Sequence, residues 1–172
     1  MRLSLLALFL FSLQVCVAQE PTKYQLAPCG TQPVIAPMLE AYHSHPGLFA
    51  GERSSDTLFV ALQLHLLAKD NGIGRISPER LLDAFCRLNA DYAASNIRFY
   101  SKYDWHLIDS TGWYMHDTIT KGIDMMLANN IPDALNIYFA SNVAGNCGYN
   151  LPYAGVAMAN GCAGPTDHTW AH

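Results

Sequence analysis

Residues 57–68 constrain the fold more than any other part of the chain. Their side chains alternate between two faces, and both faces are largely apolar. One face carries Leu58, Val60, Leu62, Leu64 and Leu66, and the other carries Phe59, Ala61, Gln63, His65 and Leu67. Because a strand at the surface keeps one face polar, this pattern predicts an interior strand covered on both sides. His65 then fits best as a core histidine with one satisfied nitrogen.

The segments after this strand alternate between helical and strand-like patterns. Ser77 and Pro78 are typical of a helix start, and an apolar stripe of Leu81, Phe85, Leu88 and Tyr92 comes after them at helical spacing. Strands are expected near 96–100, 105–113, 135–139 and 155–159, with a second helix from about 119 to 130. This order predicts an α/β (α+β) fold, a twisted mixed β-sheet with helices packed on it. Cys86, beside the helical stripe, is expected to be a small buried residue.

The first 18 residues have the pattern of a secretory signal peptide. Arg2 supplies a positive charge, residues 3–17 are apolar, and Ala18 provides the small residue that suits cleavage. The apolar run is too short for a comfortable transmembrane span. We therefore expect a secreted protein without a membrane span. A lipoprotein anchored through Cys16 is the alternative, and the bulky Val15 before that cysteine argues against it.

Charge and length narrow the function classes. The formal net charge is −4, and it becomes −5 when Arg2 leaves with the signal peptide. Because no basic stripe is visible, nucleic acid is not an expected partner. The roughly 150 residues that remain are enough for one domain with a core of its own.

Residues 19–53 differ in composition from the rest of the chain. They hold five prolines, show little periodicity and close near Arg53. Such a composition indicates an extended segment that lies on a domain rather than a domain of its own. It contains Cys29-Gly30-Thr31, and His43 and His45 are expected in a surface loop of it.

Four cysteines lie beyond the signal peptide: Cys29, Cys86, Cys147 and Cys162. An even number of cysteines in an exported chain suggests disulfides. Cys147 and Cys162 are the expected pair, because they bracket a short segment that can fold back on itself. In the chain-entropy description, closing a loop of that size stabilises by roughly 3 kcal/mol.

The last twelve residues have the pattern of a helix start. Thr166 and Asp167 are good N-cap residues, and we expect the helix that begins after them to continue beyond His172 in a longer protein. His168 and His172 are four apart, so on a helix they share one face and form a candidate metal pair. Alternatively, His172 alone is a ligand, since Thr169 stands where a His-Glu-x-x-His motif has its glutamate.

Several motifs in order resemble the pappalysin family of secreted zinc metallopeptidases. They are Ile76-Ser77, Arg87-Leu88-Asn89-Ala90-Asp91-Tyr92, Asn96-Ile97-Arg98-Phe99, Leu135-Asn136-Ile137-Tyr138-Phe139 and Thr169-Trp170-Ala171-His172. The similarity runs over most of residues 58–172. It implies that residues 54–172 are a metzincin-like N-terminal subdomain, the upper part of a catalytic domain that is incomplete at its C-terminus.

The resemblance also implies roles for particular residues. His172 would be the first of three zinc-binding histidines, with the general-base glutamate just beyond it, so no catalytic residue is expected within the chain. Residues 19–53 would be a pro-segment. In it, Cys29 would be a latency switch whose thiolate occupies the open zinc position, and cleavage near Arg53 would activate the zymogen. The residues of an edge strand, Gly155, Val156, Ala157, Met158 and Ala159, would bind an extended substrate by strand addition.

These expectations lead to two functions from different classes. The leading hypothesis is a secreted zinc metalloendopeptidase that cleaves protein or peptide substrates and is made as a latent zymogen, of which this chain is a fragment inactive alone. The rival is a non-catalytic secreted peptide-binding protein with a metzincin-like sheet. The residues after His172 discriminate between them, because only the enzyme needs Glu-x-x-His there.

Overall fold

The computed structural model describes residues 37–49 and 56–171. The helices are α1 (Pro37–Ser44), α2 (Pro78–Asp91), α3 (Thr111–Tyr114) and α4 (Ile119–Asn129). The strands are β1 (Leu58–Ala68), β2 (Ile97–Ser101), β3 (His106–Asp109), β4 (Met115–His116), β5 (Leu135–Ala140), β6 (Asn142–Val143), β7 (Gly148–Leu151) and β8 (Gly155–Ala159). Short 3₁₀ turns occupy Pro46–Phe49, Ala93–Ser95, Asn160–Cys162 and Thr169–Ala171.

The main sheet is built around β1. Its order is β2-β1-β5-β8-β7, and β3 pairs with the second half of β1 beyond β2. All neighbours in this order run parallel except β7, which is antiparallel to β8. The predicted interior strand and the mixed α/β fold are therefore confirmed.

Both faces of the sheet are covered, as the alternation along β1 requires. One face packs under α2, where Leu62, Leu64 and Leu66 meet Leu81 and Leu88. The other face packs under α3 and α4, through buried residues that include Leu67, Met125, Met126, Tyr138 and Tyr149. The two apolar faces of one strand thus produce a three-layer arrangement.

Helix α2 begins where its sequence predicts. The Ser77 hydroxyl accepts a hydrogen bond from the backbone N–H of Arg80 (3.3 Å), and Pro78 occupies the first turn. Arg80 then joins α2 to the loop after β8, since its guanidinium donates to the carbonyls of Ala163 (2.6 Å) and Gly161 (2.9 Å). Because Leu81 and Leu88 face inward, Cys86 lies on the outer face, so the prediction of a buried Cys86 was wrong.

Three other local predictions differ from the structure. The segment 105–113 forms only the four-residue strand β3 before the chain turns into α3. The strand β7 was not predicted. Part of the predicted extended pro-segment is helical: α1 (Pro37–Ser44) includes His43, and the 3₁₀ turn Pro46–Phe49 comes after it. Residues 19–36, residues 50–53 and the signal peptide fall outside the described residues.

His65 is fully buried on β1, and both of its ring nitrogens are hydrogen-bonded. The Asn136 amide donates to the carbonyls of Ile131 (3.0 Å) and Ala134 (3.2 Å), which orients its oxygen toward His65. His65 Nε2 therefore donates to Asn136 Oδ1 (2.9 Å), and its Nδ1 accepts from His106 Nδ1 (2.9 Å). Burial is the main cause that lowers the pKa of His65 to about 4, and the nearby His106 adds to the effect.

This arrangement predicts that acid weakens the fold. An unfolded histidine titrates near pH 6.5, whereas folded His65 takes up a proton only near pH 4, so the unfolded state binds protons first as the pH falls. We expect His65 to contribute a loss of roughly 3 kcal/mol in the free energy of unfolding between pH 7 and pH 4. Urea denaturation across that range measures it. In a His65→Phe variant the pH dependence should be shallower, and an unchanged slope would refute the assignment.

Candidate functional site

Strand β7 is the outer edge of the sheet within the described part of the chain. The register with β8 pairs Tyr149 with Ala157, and the Cys147 carbonyl accepts from the Ala159 N–H (2.8 Å). Since hydrogen-bonding direction alternates along an antiparallel pair, the backbone of Tyr149 points toward β8 and that of Gly148 points away from it. Gly148 thus directs its N–H and C=O to the outside of the sheet.

The predicted edge strand occupies a different place. Gly155–Ala159 does form a strand, β8, but β8 is hydrogen-bonded to β5 on one side and to β7 on the other. Its backbone groups are engaged in the sheet, so the prediction that it is the edge was wrong. The antiparallel strand just before it takes that position.

The Tyr149 side chain anchors β7 on the face of the sheet that packs under α4. The Tyr149 hydroxyl donates to His116 Nε2 (2.8 Å), and His116 Nδ1 donates to the carbonyl of Trp113 (2.7 Å). Burial lowers the pKa of His116 and raises the pKa of Tyr149, so both rings are neutral near pH 7. Gly122 leaves room for this pair, because a Cβ there would lie 1.7 Å from the Tyr149 hydroxyl.

The predicted disulfide is present and fixes the other end of β7. Cys147 and Cys162 are joined, with their Cα atoms 5.4 Å apart. The bond ties the residue before β7 to the turn that comes after β8. The disulfide and the Tyr149–His116 hydrogen bond together anchor the edge strand to the rest of the domain.

An apolar cavity of about 280 Å³ lies beside β7, on the face of the sheet that carries α2. Its walls come from the sheet, from α2 and from the last 3₁₀ turn of the chain. They include Leu62, Leu88, Phe99, Leu135, Ile137, Val156, Met158 and Trp170. The cavity therefore borders both the edge strand and the segment that leads to His172.

That final segment is anchored on α2 and the sheet. The Trp170 ring lies between Phe85 and Phe139, at centroid distances of 5.8 Å and 5.1 Å. The Tyr92 hydroxyl donates to the carbonyl of Ala171 (3.2 Å). The predicted helix start appears here as the 3₁₀ turn Thr169–Ala171, with the Asp167 carboxylate accepting from the Thr169 N–H (2.9 Å). The residue before His172 is thus held at the border of the cavity.

His168 is hydrogen-bonded to the end of α2. Its Nδ1 lies 2.9 Å from an oxygen of Asp91, whose other oxygen lies 2.7 Å from the Arg87 guanidinium. Desolvation alone would raise the pKa of Asp91, but the hydrogen bonds from Arg87 and His168 outweigh it and lower that pKa. One nitrogen of the candidate metal pair is therefore committed to a carboxylate.

The metal and latency predictions rest on residues that are not described. His172 and Cys29 both fall outside the two described ranges. Within those ranges, no group of three or more His, Cys, Asp or Glu side chains is arranged to hold a metal ion. The described residues therefore do not by themselves fit a zinc site. In the same ranges, no helix has the length and apolar character needed to cross a bilayer.

The sequence contained only a weak signal for β7. The run Gly148-Tyr149-Asn150-Leu151 is short, is bounded by Gly and Pro, and alternates in burial only in part. Its alternation and the nearby disulfide partner were the features that could have indicated an antiparallel hairpin with β8. Gly122 and His116, which support the strand from a distance, gave no local signal.

Comparison with known proteins reveals one informative likeness. No protein-family model matches the chain, and no curated protein matches it in sequence. Among solved structures, the chain is similar to Tannerella forsythia promirolysin mutant E225A, with a TM-score of 0.56 and 14% sequence identity. The match covers 80% of this chain and 61% of that chain. The likeness supports the metzincin-like fold and does not extend to the pappalysin family in particular.

Proposed function

We propose that this chain is the substrate-binding upper part of an exported zinc metalloendopeptidase related to the pappalysins. The observation that carries the proposal is the position of β7, an antiparallel edge strand next to the segment that leads to His172. The fold shared with promirolysin supports it. The chain matches 61% of that structure's length, and the proposal places the catalytic site in the part that is not matched.

The outer edge of β7 is the proposed substrate contact. An extended peptide can add to a sheet edge through main-chain hydrogen bonds, which give affinity without demanding a particular side chain. Gly148 directs its backbone groups to that edge. It is itself buried beside Thr169, whose methyl group lies 3.6 Å from the position of a Cβ there, so a peptide would meet it next to the final segment of the chain. The Tyr149–His116 pair and the disulfide keep the strand in place when a peptide binds.

In this proposal His172 is the first of three zinc ligands, and the general-base glutamate comes directly after it. Bound zinc would supply Lewis-acid activation of water and of the peptide carbonyl. The described residues do not complete the metal site, so we derive no catalytic step from them. Their part is to bind the peptide and to position the residue before His172 through Trp170 and Tyr92.

The proposal includes export and latency. The Cys147–Cys162 disulfide fits an oxidising compartment, which agrees with the signal-peptide pattern of residues 1–18. Cys29 is the proposed switch that occupies the zinc position until cleavage near Arg53.

The experiment uses the full-length protein, expressed from its complete gene and matured by removal of residues 1–53. We expect about one zinc ion per chain and cleavage of an unfolded protein substrate that stops when a chelator removes the metal and resumes when zinc is restored. Absence of Glu-x-x-His after His172, or cleavage unaffected by chelation, would contradict the proposal. Metal analysis and a gel-based cleavage assay are sufficient.

A non-catalytic peptide-binding protein is the second candidate. Its basis is the edge strand β7 with the apolar cavity beside it, which would accept an extended peptide without a metal ion. It predicts that the full-length protein binds extended peptides without cleaving them and without retaining zinc.

A further inference from the structure

Tyr153 stands out at the tip of the hairpin between β7 and β8. Its side chain is 97% exposed, which is unusual for a large aromatic residue. Its backbone has a φ of +65°, in the left-handed region that is unfavourable for residues other than glycine, asparagine and aspartate. A bulky residue is retained here in a costly conformation and without burial, and such positions cluster at ligand-binding sites.

The hairpin that carries Tyr153 is supported from the protein interior. The Asn130 amide donates to the carbonyl of Ala154 (2.6 Å), and the hydroxyl of the fully buried Tyr138 donates to Asn130 Oδ1 (2.7 Å). The Ala154 N–H closes the turn on the carbonyl of Leu151 (3.0 Å). The backbone on both sides of the ring is therefore held, and the ring projects from a fixed base.

A cleft of about 340 Å³ lies between the hairpin and the start of β5. Tyr153 and Leu151 form one side of it, and Leu135, which is 42% exposed, forms the other. At the floor of the cleft, the backbone of Gly155 lies close to β5, because a Cβ at position 155 would be 2.7 Å from the carbonyl oxygen of Asn136. The cleft thus offers the Leu135 side chain and the Tyr153 ring next to the end of the edge strand, while Leu151 packs against the core on the α4 side.

We infer that Tyr153 and this cleft form a remote specificity subsite for a bulky apolar side chain of an extended peptide paired with β7. The inference rests on the proposed function, and it specifies which peptide side chain such a protein would prefer at one position. The subsite is continuous with the edge strand, since Leu151 belongs to both. Gly148 and Leu151 are three residues apart, which is about 10 Å along a strand. The peptide side chain that the subsite selects therefore lies three to four residues along the peptide from the residue that pairs with Gly148.

The test compares peptides that differ only at one position, with phenylalanine or alanine, in the matured full-length protein. The position is scanned over three to four residues on either side of the cleaved bond. At the subsite position, the ratio of kcat/KM for the phenylalanine peptide over the alanine peptide should fall about tenfold in Tyr153→Gly, as expected for loss of an apolar contact. Tyr153→Phe should keep the wild-type ratio, because the ring is retained.

Two controls separate a binding role from a structural one. Leu127, an apolar residue on α4 that is 74% exposed, serves as the matched position, and Leu127→Ala should not change the ratio. Tyr153→Gly should unfold at the wild-type temperature or above it, since glycine accepts the left-handed conformation. A peptide preference that stays the same in Tyr153→Gly at every scanned position would overturn the inference.

Failure of the proposed function gives a different result. If the wild-type protein cleaves none of the peptides, the enzyme proposal fails, and fluorescence anisotropy of the same labelled peptides then decides the subsite. Tighter binding of the phenylalanine peptide that is lost in Tyr153→Gly supports the subsite, and equal binding by the two proteins rejects it.

Discussion

Replacing His172 with alanine in the full-length protein should abolish zinc retention and peptide cleavage, while His168→Ala should leave zinc bound. In the proposed site His172 is a direct ligand. Loss of a group that only supports a ligand lowers metal affinity by roughly 10–100-fold, so removal of the ligand should cost more. His168 instead directs its Nδ1 to Asp91, and that hydrogen bond explains its presence without a metal.

The two variants are compared after dialysis against a weak chelator, with the zinc content of each measured per chain. The His168→Ala variant is the matched control, because it removes the same ring four residues away. Equal loss of zinc from both would favour the His168–His172 pair as a joint site. Full zinc in His172→Ala would exclude His172 as a ligand and remove the main premise of the enzyme proposal.

Gly122→Ala should destabilise the fold strongly, although alanine is the better helix former. A Cβ at position 122 would lie 1.7 Å from the Tyr149 hydroxyl and 2.9 Å from its Cζ. Tyr149 is buried and bonded to His116, so relief of the clash requires the ring to move and the hydrogen bond to break. Overpacking and an unpaired buried histidine together cost about 2–5 kcal/mol, which exceeds the roughly 1 kcal/mol that alanine gains in a helix.

Urea denaturation measures this loss, and two further variants identify its cause. Gly112→Ala is the control, because a Cβ there meets nothing within 4 Å. Tyr149→Phe removes the atom nearest to the clash, so Gly122→Ala should cost less in that background than in the wild type. If Gly122→Ala is as stable as the wild type, the packing of α4 against Tyr149 is not as described. Additive effects would show that the hydroxyl is not the obstacle.

The central features of the fold were predictable because their causes are local. The two apolar faces of residues 57–68 required an interior strand, and Ser77-Pro78 required a helix start. The disulfide was predictable because its two cysteines bracket a short hairpin. In each case, adjacent residues carry the physical cause, so no knowledge of distant partners was needed.

The edge of the sheet was not predictable in the same way. Whether β7 or β8 lies outermost depends on β5, which pairs with β8 through residues about twenty positions earlier in the chain. The sequences of β7 and β8 are both short, and the composition of neither shows which of the two strands lies outermost. The support of Tyr149 by His116 joins residues 33 apart, and its dependence on Gly122 is a matter of packing that no local pattern expresses.

The exposure of Cys86 was missed because of helical phase. Its neighbour Phe85 is half-buried, and a stripe that included Phe85 placed the cysteine near the core. In the structure the fully buried positions of α2 are Leu81, Ala84 and Leu88, which turn Cys86 outward. Taking Phe85 rather than Ala84 as the buried position was enough to reverse the prediction for Cys86.

The Cys147–Cys162 bond changes what proteolysis of the β7–β8 hairpin would do to the chain. The exposed turn around Tyr153 is the kind of loop tip at which proteases nick a folded chain. Because that turn lies inside the covalent ring, a single cut would open the backbone and release nothing. Both severed ends would remain joined through the disulfide, so one cut in the hairpin would not divide the protein into two separate pieces.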